Sequence, residues 1–150
     1  MTARKLIVFF ALLASVVFGK WGIDLLPPQG KSPVTESAAT GDEVLSRLFS
    51  ERKSSVQVQG AGVVQKLLPD DNDGNRHQRF VVILATGQTL LVAHNIDQAS
   101  RIEGLKVGDR VEFRGEYEWN PQGGVIHWTH RDPSGRHPAG WIRHNGRTYQ

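Results

Sequence analysis

The chain has 150 residues, 39% of them hydrophobic, a length that favours one small domain with additional terminal segments. It contains no cysteine, which excludes disulfides, thiolate metal ligands and cysteine nucleophiles. Of 18 basic residues, Arg4 and Lys5 lie at the extreme N-terminus, and without them 16 basic residues face 15 acidic ones. The overall charge therefore does not predict non-specific nucleic-acid binding, and any cationic surface must be local.

Residues 1–19 are predicted to be a signal peptide or a membrane anchor. Arg4 and Lys5 precede an apolar run of fourteen residues, Leu6–Gly19. A membrane-spanning helix needs about 20 apolar residues, whereas the apolar part of a signal peptide needs about 7–15. Since basic residues stay on the cytoplasmic side, the rest of the chain is predicted to be exported, either free in the periplasm or anchored in the inner membrane and facing it.

Residues 20–39 are rich in proline, glycine, serine and threonine, which predicts a flexible linker. Thr40 and Glu43 then fit a helix capping box. Apolar residues recur at helical spacing as far as Phe49, so a short helix is predicted to begin at Thr40 and to dock on the domain. The predicted domain spans residues 40–150.

From Val56 onward the apolar residues alternate with polar ones, which is typical of strands. Five strands are predicted, over residues 56–68, 79–84, 89–94, 111–119 and 125–130. Residues 95–105 are predicted to form a short helical crossover between the third and fourth strands. This order predicts an all-β, OB-fold-like barrel. An open barrel or sandwich of five to seven strands is the alternative.

Two further features belong to the predicted barrel. Residues 140–149 predict a C-terminal hairpin, because Asn145-Gly146 favours a type I′ turn. The fourth strand alternates cleanly, with apolar residues on one face and arginines and glutamates on the other. We interpret its acids, Glu112, Glu116 and Glu118, as part of a solvated face and not as catalytic carboxylates.

The C-terminal stretch, Gly123–Gln150, concentrates the residue types that carry chemistry. It holds four of the six histidines, two of the four tryptophans and four arginines against one acid, Asp132. This concentration predicts a functional surface at one end of the barrel.

One interpretation of this stretch is a metal site. In an OB order the third and fifth strands are parallel neighbours, which brings His94 and His130 to the same rim. Residues 132–135 fit a type I turn that would oppose His137 to His130, with Cβ atoms about 5 Å apart. His127 joins them only if the strand twists. Zinc or another divalent metal would suit these imidazoles and would support a hydrolase acting on phosphodiesters or nucleic acid.

The other interpretations need no metal. The same histidines could cap loops, or act as general acids or bases. OB folds bind single-stranded nucleic acid through aromatic platforms and basic residues. The candidate ligand-binding residues are Trp128, Arg131, Arg136, Trp141 and Arg143, although core packing competes for the tryptophans.

Our leading interpretation is therefore an exported binding module for an anionic ligand, either nucleic acid or another phosphate-bearing polymer. The alternatives are the metal-dependent hydrolase and a non-catalytic envelope interaction protein.

The segments TLLVAHNID, GEYEWNPQGGVIHWTHRDPSGRHPAGWI and RHNGRTYQ resemble a bacterial family of short exported proteins, domain of unknown function 3465. The resemblance covers residues 56–150. It implies export and a single domain, and it assigns no role to any residue.

Overall fold

The computed structural model describes residues 33–150, and the side chains of residues 41–150. The signal peptide or anchor predicted over residues 1–19 lies outside the described residues. One helix and seven strands follow in chain order: α1 (Pro33–Ser50), β1 (Val56–Leu67), β2 (His77–Ile83), β3 (Thr89–Asn95), β4 (Arg110–Glu118), β5 (Val125–His127), β6 (Trp141–His144) and β7 (Arg147–Tyr149). Within the described part of the chain, no helix is both long and apolar enough to cross a membrane.

Strand β1 closes the sheet into a barrel, because it pairs with two other strands. Its first part is antiparallel to β4, as in the pair Val58↔Gly115, and its last part is antiparallel to β2, as in the pair Val63↔Ile83. The remaining neighbours follow the order β2-β3-β5-β4, and β3 and β5 are parallel. The predicted all-β, OB-fold-like barrel of five strands is confirmed.

The predicted C-terminal hairpin is also confirmed. Asn145 and Gly146 have φ angles of 48° and 75°, the two positive values that a type I′ turn requires. Strand β6 pairs with β4 and with β7, so the hairpin extends the sheet beyond the barrel.

The crossover predicted as a helix over residues 95–105 is wrong, because the segment consists of turns. Asn95 Oδ1 accepts hydrogen bonds from the backbone N–H groups of Asp97 and Gln98, at 2.9 and 3.2 Å. Further along, the Gln78 side chain donates to the carbonyl of Ile102 and accepts from its N–H. Side chains thus satisfy the backbone groups that a helix would otherwise pair.

Helix α1 begins at Pro33, so the prediction that Thr40 caps its N-terminus is wrong. Proline suits a first helical position because its missing N–H would have no partner there. The linker predicted over residues 20–39 consequently overlaps the helix at residues 33–39. The rest of that linker lies outside the described residues.

Strand β5 ends at His127, three residues earlier than predicted. Trp128 has a φ of 53°, a left-handed conformation that a regular strand does not accommodate. The chain therefore leaves the sheet at Trp128 and enters a long connection, residues 128–140, which we name the C-terminal loop.

The core lies inside the barrel and is filled by alternate residues of its strands, with Phe80, Phe113 and Tyr117 the largest fully buried side chains. Helix α1 joins this core through Leu45, which is fully buried. Trp119 anchors the same helix from the barrel side, since its Nε1 donates to the carbonyl of Phe49 at 3.0 Å. Trp119 is thus a packing residue.

We predict that Leu45→Ala lowers the free energy of unfolding by about 2–5 kcal/mol, because it removes a buried side chain between the helix and the barrel. Chemical denaturation followed by circular dichroism measures this loss. The matched control is Val107→Ala, at a side chain that is 63% exposed, with an expected change within about 0.5 kcal/mol. Equal effects of the two substitutions would show that α1 does not pack on the barrel.

Candidate functional site

A cleft of about 500 Å³ opens at one rim of the barrel. Strands β3 and β5 end there, at Asn95 and His127, and β2 begins there at His77, which pairs with Asn95. The lining is mostly polar: Asn75, His77, Asn95, Gln98, His127, Trp128, His130, Asp132 and Arg136. The rim predicted from the parallel arrangement of β3 and β5 is therefore where a polar cleft forms.

The C-terminal loop forms one wall of this cleft and is fixed to the barrel at its end. The N–H of Gly140 donates to the carbonyl of His130 at 2.9 Å. A Cβ atom at Gly140 would lie 1.9 Å from the Trp128 carbonyl oxygen and 2.7 Å from that of Arg114. Only glycine fits this close approach, which holds the loop against β4.

Asp132 organises the loop from within. The predicted turn is present, since the N–H of Gly135 donates to the Asp132 carbonyl at 3.0 Å. The Asp132 carboxylate accepts hydrogen bonds from the Ser134 hydroxyl and from the N–H groups of Ser134, Arg136 and His137. These bonds, chiefly those from Ser134, lower its pKa to about 2. The carboxylate is thus ionised and already engaged within its own loop.

The basic residues that line the cleft are Arg136 and three histidines. Arg136 Nε donates to the Ser134 hydroxyl at 2.8 Å, which orients the guanidinium. Among the described residues, no carboxylate forms a salt bridge with Arg136, and three imidazoles share the lining with it. The guanidinium of Arg136 is therefore available to a ligand, whereas the Asp132 carboxylate is already engaged within its own loop.

Among the described residues, the histidines predicted as ligands of one metal ion do not form a single group. His94 is fully buried, and its two ring nitrogens are engaged by the Thr129 hydroxyl at 2.8 Å and by the Ser100 carbonyl at 3.1 Å. His130 lies opposite Gly140 and not opposite His137, because β5 has already ended. His130 Nδ1 donates to the Arg131 carbonyl.

His137 stacks on the Trp128 ring instead. The two ring centroids are 3.8 Å apart and the planes are inclined by 8°. This contact fixes the orientation of the indole, and Trp128 also lines the cleft.

The other predicted ligand-binding residues separate into two places. Arg136 lines the cleft together with Trp128, whereas Arg131 is exposed outside the lining. Trp141 and Arg143 lie on β6, where the guanidinium of Arg143 is 4.3 Å from the Trp141 ring centroid. The structure thus assigns only part of the predicted set to the cleft.

A second group of residues, which we name the Glu116 cluster, was missed by sequence reasoning. Glu116 pairs with His127 across β4 and β5, and its Oε1 lies 3.6 Å from His127 Nε2. Glu118 Oε1 lies 3.9 Å from the same nitrogen. Of the described histidines, aspartates and glutamates, Glu116, Glu118 and His127 are the one set of three whose ligand atoms lie within 4.8 Å of one another.

The electrostatics of the cluster reflect its partial burial. The side chain of Glu116 is only 17% exposed, so the interpretation of this residue as part of a solvated face is wrong. Burial lowers the pKa of His127, and it outweighs the attraction that Glu116 and Glu118 exert on a proton there. Burial raises the pKa of Glu118, but hydrogen bonds from Ser54 and Ser55 more than offset it, so the pKa is lowered overall.

These features define a small OB-fold-like barrel domain with a polar cleft at one rim and a histidine–carboxylate cluster beside it. The chain belongs to the family described as protein of unknown function (DUF3465), which matches residues 31–150. This confirms the resemblance carried by the strands and the C-terminal stretch, and it extends the family's domain to include helix α1. No curated protein matches the chain.

We predict that stability falls between about pH 6.5 and pH 4 because of His94. Burial, together with the nearby His130 and His77, lowers the pKa of His94 from 6.5 to about 4. The unfolded chain therefore binds a proton at His94 before the folded chain does, so a contribution of up to about 3 kcal/mol, present above pH 6.5, is lost on acidification.

Chemical denaturation from about pH 7 to about pH 4.5 measures this loss, above the range in which most carboxylates titrate. His94→Gln keeps polar atoms near Thr129 and Ser100 but cannot titrate, so we expect a shallower pH dependence. A slope unchanged by His94→Gln would show that other groups are responsible.

Proposed function

We propose that the domain is a binding module for an anionic, phosphate-bearing ligand, which the cleft holds beside Arg136. The observation that carries this proposal is which of the cleft's polar side chains already have partners within the protein. Asp132, the one carboxylate among the lining residues, is engaged by hydrogen bonds from its own loop, whereas Arg136 and three imidazoles face the same space. Arginine binds phosphate through paired, charge-assisted hydrogen bonds, and histidine adds further donors.

The size and the aromatic wall of the cleft indicate the kind of ligand. A volume of about 500 Å³ lies within the range of small-molecule sites and accommodates a nucleotide-sized unit. The Trp128 indole is held in place by its stack on His137, so little side-chain freedom is lost when a base or sugar packs against it. These properties favour nucleic acid, or a polymer with similar units, as the source of the phosphate.

The hydrolase alternative is less favoured in the form that the sequence suggested. It depended on His94, His130 and His137 as ligands of one metal ion, and these three are not grouped. The compartment in which the domain binds its ligand depends on whether residues 1–19 direct export. That export remains a prediction.

Salt dependence tests the proposal directly. We expect a fluorescently labelled single-stranded oligonucleotide to bind the full chain, with an affinity that falls steeply between about 50 and 200 mM salt as counterions are released. A neutral oligosaccharide of similar length should not bind. Absent binding, or binding that salt does not weaken, would overturn the proposal.

Two arginine variants locate the binding surface. We expect Arg136→Gln to weaken oligonucleotide binding by about 10-fold or more, since hydrogen bonds to charged groups contribute about 1.5–3 kcal/mol. The backbone N–H of Arg136 that supports the loop is retained in this variant. Arg143→Gln, on β6 beside Trp141, should bind like the original protein.

Fluorescence anisotropy at a fixed salt concentration measures both affinities. A loss with Arg143→Gln alone would place the surface on the C-terminal hairpin. If Trp128→Ala and Arg136→Gln both reduce only thermal stability, the envelope interaction protein becomes the better interpretation.

A further inference from the structure

The Glu116 cluster lies on the outer face of the barrel, in a row that crosses three strands. Glu116 on β4 pairs with Gln57 on β1 to one side and with His127 on β5 to the other. Directly paired residues project from the same face of a sheet, so these three side chains are neighbours. Glu118 follows on the same face of β4, and His137 approaches from the C-terminal loop, its Nδ1 lying 3.6 Å from Glu116 Oε2.

Polar atoms without partners are concentrated at this row. Five buried side-chain nitrogen and oxygen atoms in the described part of the chain have no hydrogen-bond partner there, and four of them belong to this face. They are Nε2 and Oε1 of Gln57, Nε2 of His127 and Nδ1 of His137. Buried polar groups in folded proteins normally have a partner, so such a concentration at one place indicates a binding site.

The distances identify the kind of partner. At 3.6 and 3.9 Å, the separations between His127 Nε2 and the two glutamate oxygens are too long for hydrogen bonds. Zinc binds histidine nitrogen and carboxylate oxygen at about 2.0–2.2 Å, which places neighbouring ligands of a tetrahedral ion roughly 3.4 Å apart. The observed separations are close to that value, and a cation would also relieve the repulsion between the two carboxylates.

We propose that Glu116, Glu118 and His127 bind a divalent transition-metal ion of the zinc type. A mixed set of imidazole and carboxylate donors suits zinc better than magnesium or calcium, which prefer oxygen ligands alone. His137 and Gln57 flank Glu116 on the same face of the sheet. The proposed metal site is adjacent to the cleft and shares His127 with it.

Zinc titration of the full chain, purified without a metal-affinity tag, tests this proposal. We expect isothermal titration calorimetry with zinc chloride to show one zinc ion per chain. Glu116→Gln and His127→Gln should each weaken binding by more than about 10-fold, because each removes a direct ligand. The matched control is Glu112→Gln, a glutamate on the same strand and the same outward face, which should leave zinc binding unchanged.

Two further measurements show whether a loss of zinc binding comes from a lost ligand, from unfolding or from a different histidine site. Circular dichroism shows whether each variant is folded, and we expect zinc to raise the Tm of the original protein but not that of Glu116→Gln. His130→Gln separates the Glu116 cluster from the histidine set suggested by the sequence, and it should retain zinc binding.

The proposal is overturned if no saturable zinc binding is found. It is also overturned if Glu116→Gln binds like the original protein, or if His130→Gln alone abolishes binding. Oligonucleotide binding is measured in the same preparations without zinc, so a failure of the anionic-ligand proposal can be told apart from a failure of this one.

Discussion

The double pairing of β1 is the constraint on which the rest of the structure depends. A single strand of twelve residues pairs with β4 at its start and with β2 at its end, and so closes the sheet. Gly60 allows the inner surface of β1 to approach the Phe113 ring, where a Cβ atom would lie 2.9 Å from the ring. Closure in turn makes β3 and β5 parallel neighbours, and their ends define the rim that holds the cleft.

Much of this fold could be predicted from alternation and turn chemistry alone. The strands could be predicted because apolar and polar residues alternate along them. The hairpin could be predicted because the Asn145-Gly146 dipeptide strongly favours a type I′ turn. The connection at residues 95–105 could not be predicted, because its conformation depends on Gln78, a side chain from another strand. Local sequence favoured a helix there, and a distant hydrogen-bonding partner prevented it.

The same holds for the site: what strand order determines could be predicted, and what distant contacts determine could not. The rim followed from strand order, and with it the position of His130 near the cleft. The partner of each histidine did not follow, because β5 was predicted to continue to His130, whereas Trp128 turns the chain out of the sheet. The pairing of Glu116 with His127 depends on the register between β4 and β5, which the turn around Asn120 sets through contacts that periodicity does not reveal.

The closure of the barrel has a further consequence, for the order of folding. Val56 pairs with Tyr117, so the first residues of the barrel find their partners about sixty positions later in the chain. Contacts between such distant residues slow folding, because a long loop must close before they stabilise anything. During synthesis β1 must wait for β4, while β2 and β3 can form their hairpin alone. The rim completed by β5 and the C-terminal loop is then assembled after β1 to β4 have been synthesised.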